Sequence, residues 1–336
     1  MTNPTAPLHC PVCAEAADPS HRICEACGAD LHTPPSHRGH WLSSAAPPTP
    51  CTDCGHPEFD PHGYCRQCGA RQTRTSDRVE LDMATIGAAT DYGKRHHYNQ
   101  DALAIGRHHG TTVAVVCDGV SSSTFGELAA LAAAEAGIAE TLDALTNGHD
   151  TGNAAHRGVT AAAHAAAQAG TAHPDNPPSC TFVSAVVDTD HIQLTWVGDS
   201  RAYWIQDGHA TCLTVDDSTI GRLAAMNVPA DDERYHSPYA AALLAWLGAD
   251  APPLEPNMRA IAPTGPGTLV VCSDGLSGYF DTDDRLATLI GTAPPVKAAA
   301  ELTEWAREQG GRDNISVIVA QFPPEPATAP TQETPA

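Results

Sequence analysis

Lysine is nearly missing from this chain: of 336 residues, only Lys94 and Lys297 are lysine. Lysine and arginine together number 18 against 40 acidic residues, a formal net charge of −22. Nucleic-acid affinity rests on cations that neutralise phosphates, so a nucleic-acid partner is not expected. Residues 1–72 are no exception. Seven acidic side chains there (Glu15, Asp18, Glu25, Asp30, Asp53, Glu58, Asp60) face four arginines (Arg22, Arg38, Arg66, Arg71). No apolar run approaches the ~20 residues that span a bilayer, and no basic-then-apolar leader opens the sequence. A cytoplasmic protein without a membrane partner is therefore expected, and in a reducing compartment paired C-x2-C motifs are read as metal sites before disulfides.

What is present divides the chain. Its length exceeds what one compact core needs. Eight of the twelve cysteines lie in residues 1–72, while residues 79–322 show regular apolar periodicity. Residues 323–336 are mostly Pro, Thr, Ala and Glu and are too poor in large apolar groups to order themselves. The expected division is a cysteine module over 1–72, a linker over 73–78, a catalytic body over 79–322 and a disordered tail over 323–336.

The cysteines form an internal repeat. Cys10, Cys13, Cys24 and Cys27 recur 41 residues later as Cys51, Cys54, Cys65 and Cys68, each set spaced C-x2-C-x10-C-x2-C. Two residues between thiolates let a tight knuckle aim both sulfurs at one ion, and a second knuckle completes a tetrahedral shell. Gly28, Gly55 and Gly69 follow cysteines where such a knuckle can need positive φ. The module resembles paired zinc ribbons holding two structural Zn2+. Four thiolates fill each site, so His9, His21, His56 and His62 are read as surface groups or as supports behind the sulfur ligands, and the module as structural or docking. Pairing within each repeat is the default, with Cys10 and Cys13 joining Cys51 and Cys54 as the alternative.

In the body, three acidic turns adjoin apolar runs that read as strands: VAVVCDG at 113–119, TLVVCSDG at 268–275 and GRDNISVIVA at 311–320. Asp118, Asp274 and Asp313 thereby sit at strand ends. Any one of them alone is ordinary loop punctuation. Three buried carboxylates at strand mouths are costly unless something neutralises them, and together they point to divalent cations. Hard oxygen ligands select magnesium or manganese, and two ions roughly 3.5–4 Å apart can clamp a phosphoryl group and lower the pKa of a shared water.

Periodicity suggests strands over 181–187 and 192–197, with Ile192, Leu194 and Trp196 alternating against Gln193 and Thr195 as on a half-buried strand. Asp207-Gly208 marks a hairpin. Thr124 and Glu127 form a capping-box pattern before a helix whose Leu128, Leu131, Ile138, Leu142 and Leu145 share one face. Further helices are expected over 154–169 and 297–309, the latter with Leu302, Trp305 and Ala306 inward. Cys117 and Cys272 read as small buried hydrophobes.

Taken in order, the NQD block at 99–101, the DG at 118–119, GDSRAY at 198–203, SDGLSGY at 273–279 and RDNISVIV at 312–319 resemble the metal-dependent serine/threonine protein phosphatases of type 2C, also called the PPM family. The resemblance covers about 79–322. It implies an α+β fold with a central antiparallel β-sandwich flanked by α-helical layers, here preceded by the small zinc-ribbon units. It implies two Mn2+ or Mg2+ with a weaker third: Asp118 bridging both ions, the Gly119 carbonyl completing one shell, Asp274 and Asp313 holding one ion and Asp101 the other.

Three places depart from the family pattern. His96, with Arg95 beside it, stands where many members carry a phosphate-binding Arg, and either side chain is a candidate for the phosphate. Val120 in DGVSSS cannot protonate a leaving group, so water or a nearby His is left to do so. Asn176, next to Asp175, aligns with an acidic ligand of the third ion. The expected function is hydrolysis of phosphoserine and phosphothreonine in proteins by a metal-activated water, on phosphoproteins supplied by a Ser/Thr kinase. The ribbons would serve docking. The Ala-rich, Lys-poor composition fits a GC-rich bacterial genome. A non-catalytic phosphatase-like binding or regulatory protein is the alternative, and a zinc-ribbon nucleic-acid factor a second one that the acidic balance disfavours.

Overall fold

The computed structural model describes residues 40–45, 50–60, 63–72, 74–229, 231–237, 239–253 and 255–324, together with the short strand pair Leu8–His9 and Ala16–Ala17. Cys10, Cys13, Cys24, Cys27, Gly28, His21, His62 and nearly all of the tail lie outside the described residues.

Two six-stranded antiparallel sheets form the centre. In chain order the strands are β1 (His40–Ser43), β2 (Arg78–Asp82), β3 (Ile86–Asp91), β4 (Ala102–His108), β5 (Thr111–Cys117), β6 (Phe182–Val187), β7 (Ile192–Val197), β8 (Arg201–Gln206), β9 (His209–Cys212), β10 (Asn257–Ile261), β11 (Gly267–Cys272) and β12 (Ile315–Phe322). One sheet runs β10-β7-β6-β5-β4-β1 and the other β9-β8-β11-β12-β3-β2. Helices α1 (Gly126–Thr146) and α2 (Thr151–Ala169) cover the first sheet, while α4 (Asp274–Ser277), α5 (Asp284–Leu289) and α6 (Pro295–Gln309) cover the second; α3 (Thr219–Ala225) lies in the long β9–β10 connection. The expected α+β sandwich between helical layers is what forms.

Three apolar clusters hold the layers together. Leu103, Ile105, Ile192, Leu194, Leu269 and Ile318 fill the space between the sheets. Val115, Val186 and Phe182 meet Ile138, Leu142 and Val159 from the first helical layer. Val270, Val317 and Val319 meet Leu276, Leu286 and Leu302 from the second. Because both faces of each sheet are covered, β7 is buried along its whole length, Gln193 and Thr195 included. The half-buried strand expected from its alternation is therefore wrong: α2 lies over the face that was assigned to solvent.

The first helix also differs from expectation. Its cap position is Phe125, left-handed at φ 58, and no side chain caps it. Leu128 is exposed, and the buried face carries Ala129, Ala130, Ala133, Ala134 and Gly137 besides Ile138 and Leu142. Small residues let the two long helices pack closely. A Cβ on Gly158 of α2 would overlap Thr141 Oγ1 and lie 2.9 Å from the Gly137 carbonyl oxygen.

Strand β1 pairs with β4 through His40↔Arg107 to Ser43↔Ala104. Its alternation places Leu42 against the inter-sheet core and Trp41 against the α1 side. Ser44 extends the pairing, since its amide donates to the Leu103 carbonyl at 2.9 Å and its hydroxyl accepts from the Leu103 amide at 3.1 Å. Residues from the middle of the 1–72 stretch thus belong to the sheet of the body.

Candidate functional site

In an antiparallel ladder the end of one strand lies beside the start of its neighbour. Ala102 pairs with Cys117, which sets Asp101 before β4 next to Asp118 after β5. Cys272 pairs with both Val317 and Arg201, which brings Asp274 after β11 toward Asp313 before β12 and toward Asp199 in the β7–β8 turn. Four expected residues and Asp199 therefore converge at one end of the sandwich.

Buried polar groups hold Asp101 and the backbone around the other acids. The Asp101 amide donates to Asn99 Oδ1 at 3.1 Å, and its Oδ2 accepts from Ser273 Oγ at 2.8 Å. Asn99 Nδ2 donates to Thr90 Oγ1 at 2.7 Å, and the Thr90 hydroxyl meets Ser316 Oγ at 2.7 Å. The Ser316 amide donates to Ser273 Oγ at 3.0 Å, which closes a ring around Asp101. Asn314 Oδ1 accepts from the Gln100 amide at 2.8 Å, and its Nδ2 donates to the Tyr92 and Tyr98 carbonyls. The Asp118 amide donates to Thr181 Oγ1 at 3.1 Å, whose hydroxyl in turn meets Ser200 Oγ at 2.8 Å. Gly119 has no room for a side chain, since a Cβ would stand 2.6 Å from the Gln100 carbonyl oxygen and 2.9 Å from the Gly126 carbonyl carbon.

The electrostatics show what the cluster lacks. Burial pushes Asp101 up to about 7, helped by Asp313 and Asp274 and opposed by the Ser273 hydroxyl. Asp118 is raised well above the carboxylate range, first by burial and then by Asp101, Asp274, Asp199 and Asp313. Asp199 rises to about 7 through burial and Asp274, and Asp274 rises through burial and Asp313. Asp101 Oδ1 and Asp274 Oδ1 are buried with no hydrogen-bond donor. Arg201 opposes the rise of Asp199 and Asp274 only in part, because its guanidinium is forked onto Asp216 at 2.9 and 2.7 Å. Oxygen-only donors, mutual repulsion and donorless buried oxygens fit divalent cations.

Among the phosphate candidates, His96 faces the cluster with Nε2 3.1 Å from Asp313 Oδ1, and that hydrogen bond raises its pKa above the usual imidazole value. Arg95 is solvent-exposed. Asn176 Nδ2 donates to the Ser122 carbonyl at 3.2 Å and to Thr124 Oγ1 at 2.9 Å, fastening the loop after Asp118. Asp175 lines a separate surface cavity with Pro174, Pro177 and Asp250. Cys117 and Cys272 are fully buried.

Sequence reasoning gave no role to Asp199, Ser273, Thr181 or Asn314. Asp199 carried a signal, since it follows β7 as the other acids adjoin their strands. Ser273 and Asn314 lie inside the quoted SDGLSGY and RDNISVIV blocks, but their contacts and that of Thr181 were not legible, because their partners lie far away along the chain.

A second cluster gathers Cys51, Cys54, Cys65 and Cys68, whose sulfurs all lie within 4.8 Å of one another. Cys51 and Cys68 sulfurs are 3.6 Å apart and those of Cys54 and Cys65 are 3.5 Å apart, near the ~3.8 Å that tetrahedral Zn–S bonds of about 2.3 Å require. Gly55 and Gly69 adopt φ of 74 and 73 as the knuckles turn. Among the described residues no other group of three or more histidine, cysteine or acidic side chains gathers this tightly.

A family model described as protein phosphatase 2C matches residues 93–314. The serine/threonine protein phosphatase PstP of Mycobacterium tuberculosis is 26% identical over 244 residues, 72% of this chain and 46% of that protein. The chain spans about half the length of the curated relatives it matches. Among solved structures, the PPM Ser-Thr phosphatase MsPP of Mycobacterium smegmatis, in complex with cacodylate, is 26% identical with a TM-score of 0.60, over 72% of this chain and 100% of that one. The catalytic domain of PstP in complex with two manganese ions shares the fold at 22% identity and a TM-score of 0.55, covering 70% of this chain and 97% of that one.

Proposed function

The chain belongs to the protein phosphatase 2C family, and from that premise we propose that it hydrolyses phosphoserine and phosphothreonine in proteins with two Mn2+ or Mg2+ held by its aspartate cluster. The observation that carries this reading is the pair of buried, donorless oxygens, Asp101 Oδ1 and Asp274 Oδ1, among carboxylates that raise one another's pKa. Asp118, on which Asp101, Asp274, Asp199 and Asp313 all act, would serve both ions, with the Gly119 carbonyl beside it. Asp274 and Asp313 would hold one ion, and Asp101, fixed by Ser273, the other.

Two ions in this place supply a water of lowered pKa and neutralise charge on the transferring phosphoryl group. The protein's own part is positioning. His96, whose imidazole pKa the Asp313 contact raises, would donate to a phosphoryl oxygen and orient the ester. Val120 has no proton to give, so the leaving oxygen takes its proton from solvent or from His96. Asn176 fastens a loop, so any third ion would rest on Asp199 and Asp274 more than on residue 176.

The four thiols at Cys51, Cys54, Cys65 and Cys68 have the spacing and donor type of a structural zinc site, and the repeat extends this to Cys10, Cys13, Cys24 and Cys27. A closed thiolate site leaves no open coordination position, which suits docking of phosphoprotein substrates in the cytoplasm. The decisive assay follows phosphate release from a phosphothreonine peptide with manganese, with magnesium and with EDTA. Metal-dependent release supports the reading, and undiminished release after chelation overturns it.

A further inference from the structure

The loop that joins β3 to β4 carries His96 and ends in Asp101, so whatever fixes its base fixes both. That base is closed by a residue outside the family-matched segment. Asp77 lies just before β2, and its carbonyl oxygen accepts from the Tyr92 amide at 3.0 Å while its carboxylate Oδ1 accepts from the Asn99 amide at 3.1 Å. One residue thus holds the first and last turns of the loop. Its other oxygen, Oδ2, accepts from the Arg74 amide at 2.7 Å, so the carboxylate is committed on both sides. Asp77 is only 2% exposed. A carboxylate is retained in such a place at a desolvation cost unless backbone donors compensate it.

The neighbouring contacts act in the same direction. The Arg74 guanidinium lies 4.7 Å from the Tyr98 ring centre and 3.7 Å from Glu127 Oε1 at the start of α1. Arg74 follows the cysteine knuckles closely: Gln72 donates its amide to the Gly63 carbonyl at 3.0 Å and accepts from the Thr52 amide at 2.8 Å. Gln72 in the cysteine unit and Arg74 to Asp77 beside the loop that leads into Asp101 are thus near neighbours in sequence.

We infer that Asp77 is a positioning residue: through the Tyr92 and Asn99 amides it staples the base of the loop that presents His96 and Asp101, and it acts on the reaction only through that loop. The manganese part of this inference rests on the reading of Asp101 as a metal-holding carboxylate. The staple itself does not.

The test uses the full chain with Asp77→Ala and Asp77→Asn, the latter keeping one acceptor. Amide hydrogen exchange of peptides covering 92–101 is measured on metal-free protein, with 315–322 as an internal reference. Asp77→Ala removes the carboxylate acceptor of the Asn99 amide and keeps the backbone acceptor of the Tyr92 amide, and loss of the charge-assisted bond predicts exchange in the 92–101 peptides, centred on Asn99, about tenfold faster. Asp77→Asn should fall between it and wild type, with 315–322 unchanged. In the same variants the manganese concentration for half-maximal hydrolysis should rise about tenfold, with turnover at saturating manganese falling much less. Wild-type exchange at 92–101 in either variant, or equal loss of protection at 315–322, overturns the inference. Should Asp77→Ala not fold, Asp77→Asn carries both readouts. Absence of manganese binding by the wild type contradicts the proposed function, and the exchange result still decides the staple.

Discussion

Asp101→Asn should make the metal-free protein more stable while weakening its response to manganese. In the fold the Asp101 carboxyl titrates at about 7 against 3.8 for an open carboxyl, a gap of roughly 3 pH units caused first by burial. Each pH unit is worth about 1.4 kcal/mol, so the ionised form costs on the order of 4 kcal/mol at neutral pH. The folded pKa is raised, so the folded state binds more protons than the unfolded state between about pH 4 and pH 7. The stability that Asp101 contributes in the metal-free wild type therefore falls as pH rises through that window and levels off above it. An asparagine keeps an oxygen for the Ser273 hydroxyl and removes the charge. At about 2–4 °C per kcal/mol for a body of this size, the gain is on the order of 10 °C in Tm at pH 7.5. Thermal unfolding in EDTA at pH 5 and pH 7.5 measures it, and a repeat with manganese should stabilise wild type more than the variant. A metal-free variant that melts no higher than wild type at pH 7.5, or a wild type whose Tm does not fall between the two pH values, would refute the reasoning.

Asp118→Ala and Asp274→Ala should each lower turnover by about 100-fold or more with the circular-dichroism spectrum retained; near wild-type turnover in a folded variant would remove that residue from the site. His96→Ala should raise KM for a phosphopeptide several-fold while Arg95→Ala leaves it alone, since His96 meets Asp313 and Arg95 faces solvent; steady-state kinetics showing the reverse would reassign the phosphate contact. Deletion of residues 1–76 strips β1 from β4 and uncovers the surfaces beneath Trp41 and Leu42, so the Tm should drop by several degrees, as large apolar groups contribute about 1.5–3 kcal/mol each when fully buried and less at a sheet edge. A truncated protein as stable as the full chain would show that the edge strand contributes nothing.

The strands that lead into Asp118 and Asp274 were legible from their continuous apolar runs, and the joint order of their acidic turns with the NQD and GDS blocks, not any one turn, carried the resemblance to the family. The hairpin at Asp207-Gly208 was legible for a local reason: both residues take positive φ, 53 and 80, as that dipeptide favours. Strand β1 was not, since four residues in a Pro- and Ser-rich stretch carry no period, and their pairing with β4 depends on a sheet edge about sixty residues away in sequence. The burial of Gln193 and Thr195 was hidden because polarity reads as exposure until a helix is known to cover that face. Thr124 resembled a cap, yet the left-handed Phe125 comes between it and the helix, and its hydroxyl accepts from Asn176 instead. In the site, the carboxylates were legible and their supports were not: Ser273, Asn314, Thr181 and Asp77 act through contacts that only the assembled sandwich creates.

Counting bound manganese tests the two-ion site most directly. Metal-free full-length protein titrated with Mn2+, with free Mn2+ followed by electron paramagnetic resonance, should bind two ions per chain at its aspartates, and Asp118→Ala should lose both strong sites. Wild type that binds none, or an Asp118→Ala variant that binds two as tightly as wild type, would contradict a centre built on Asp118, Asp274, Asp313 and Asp101.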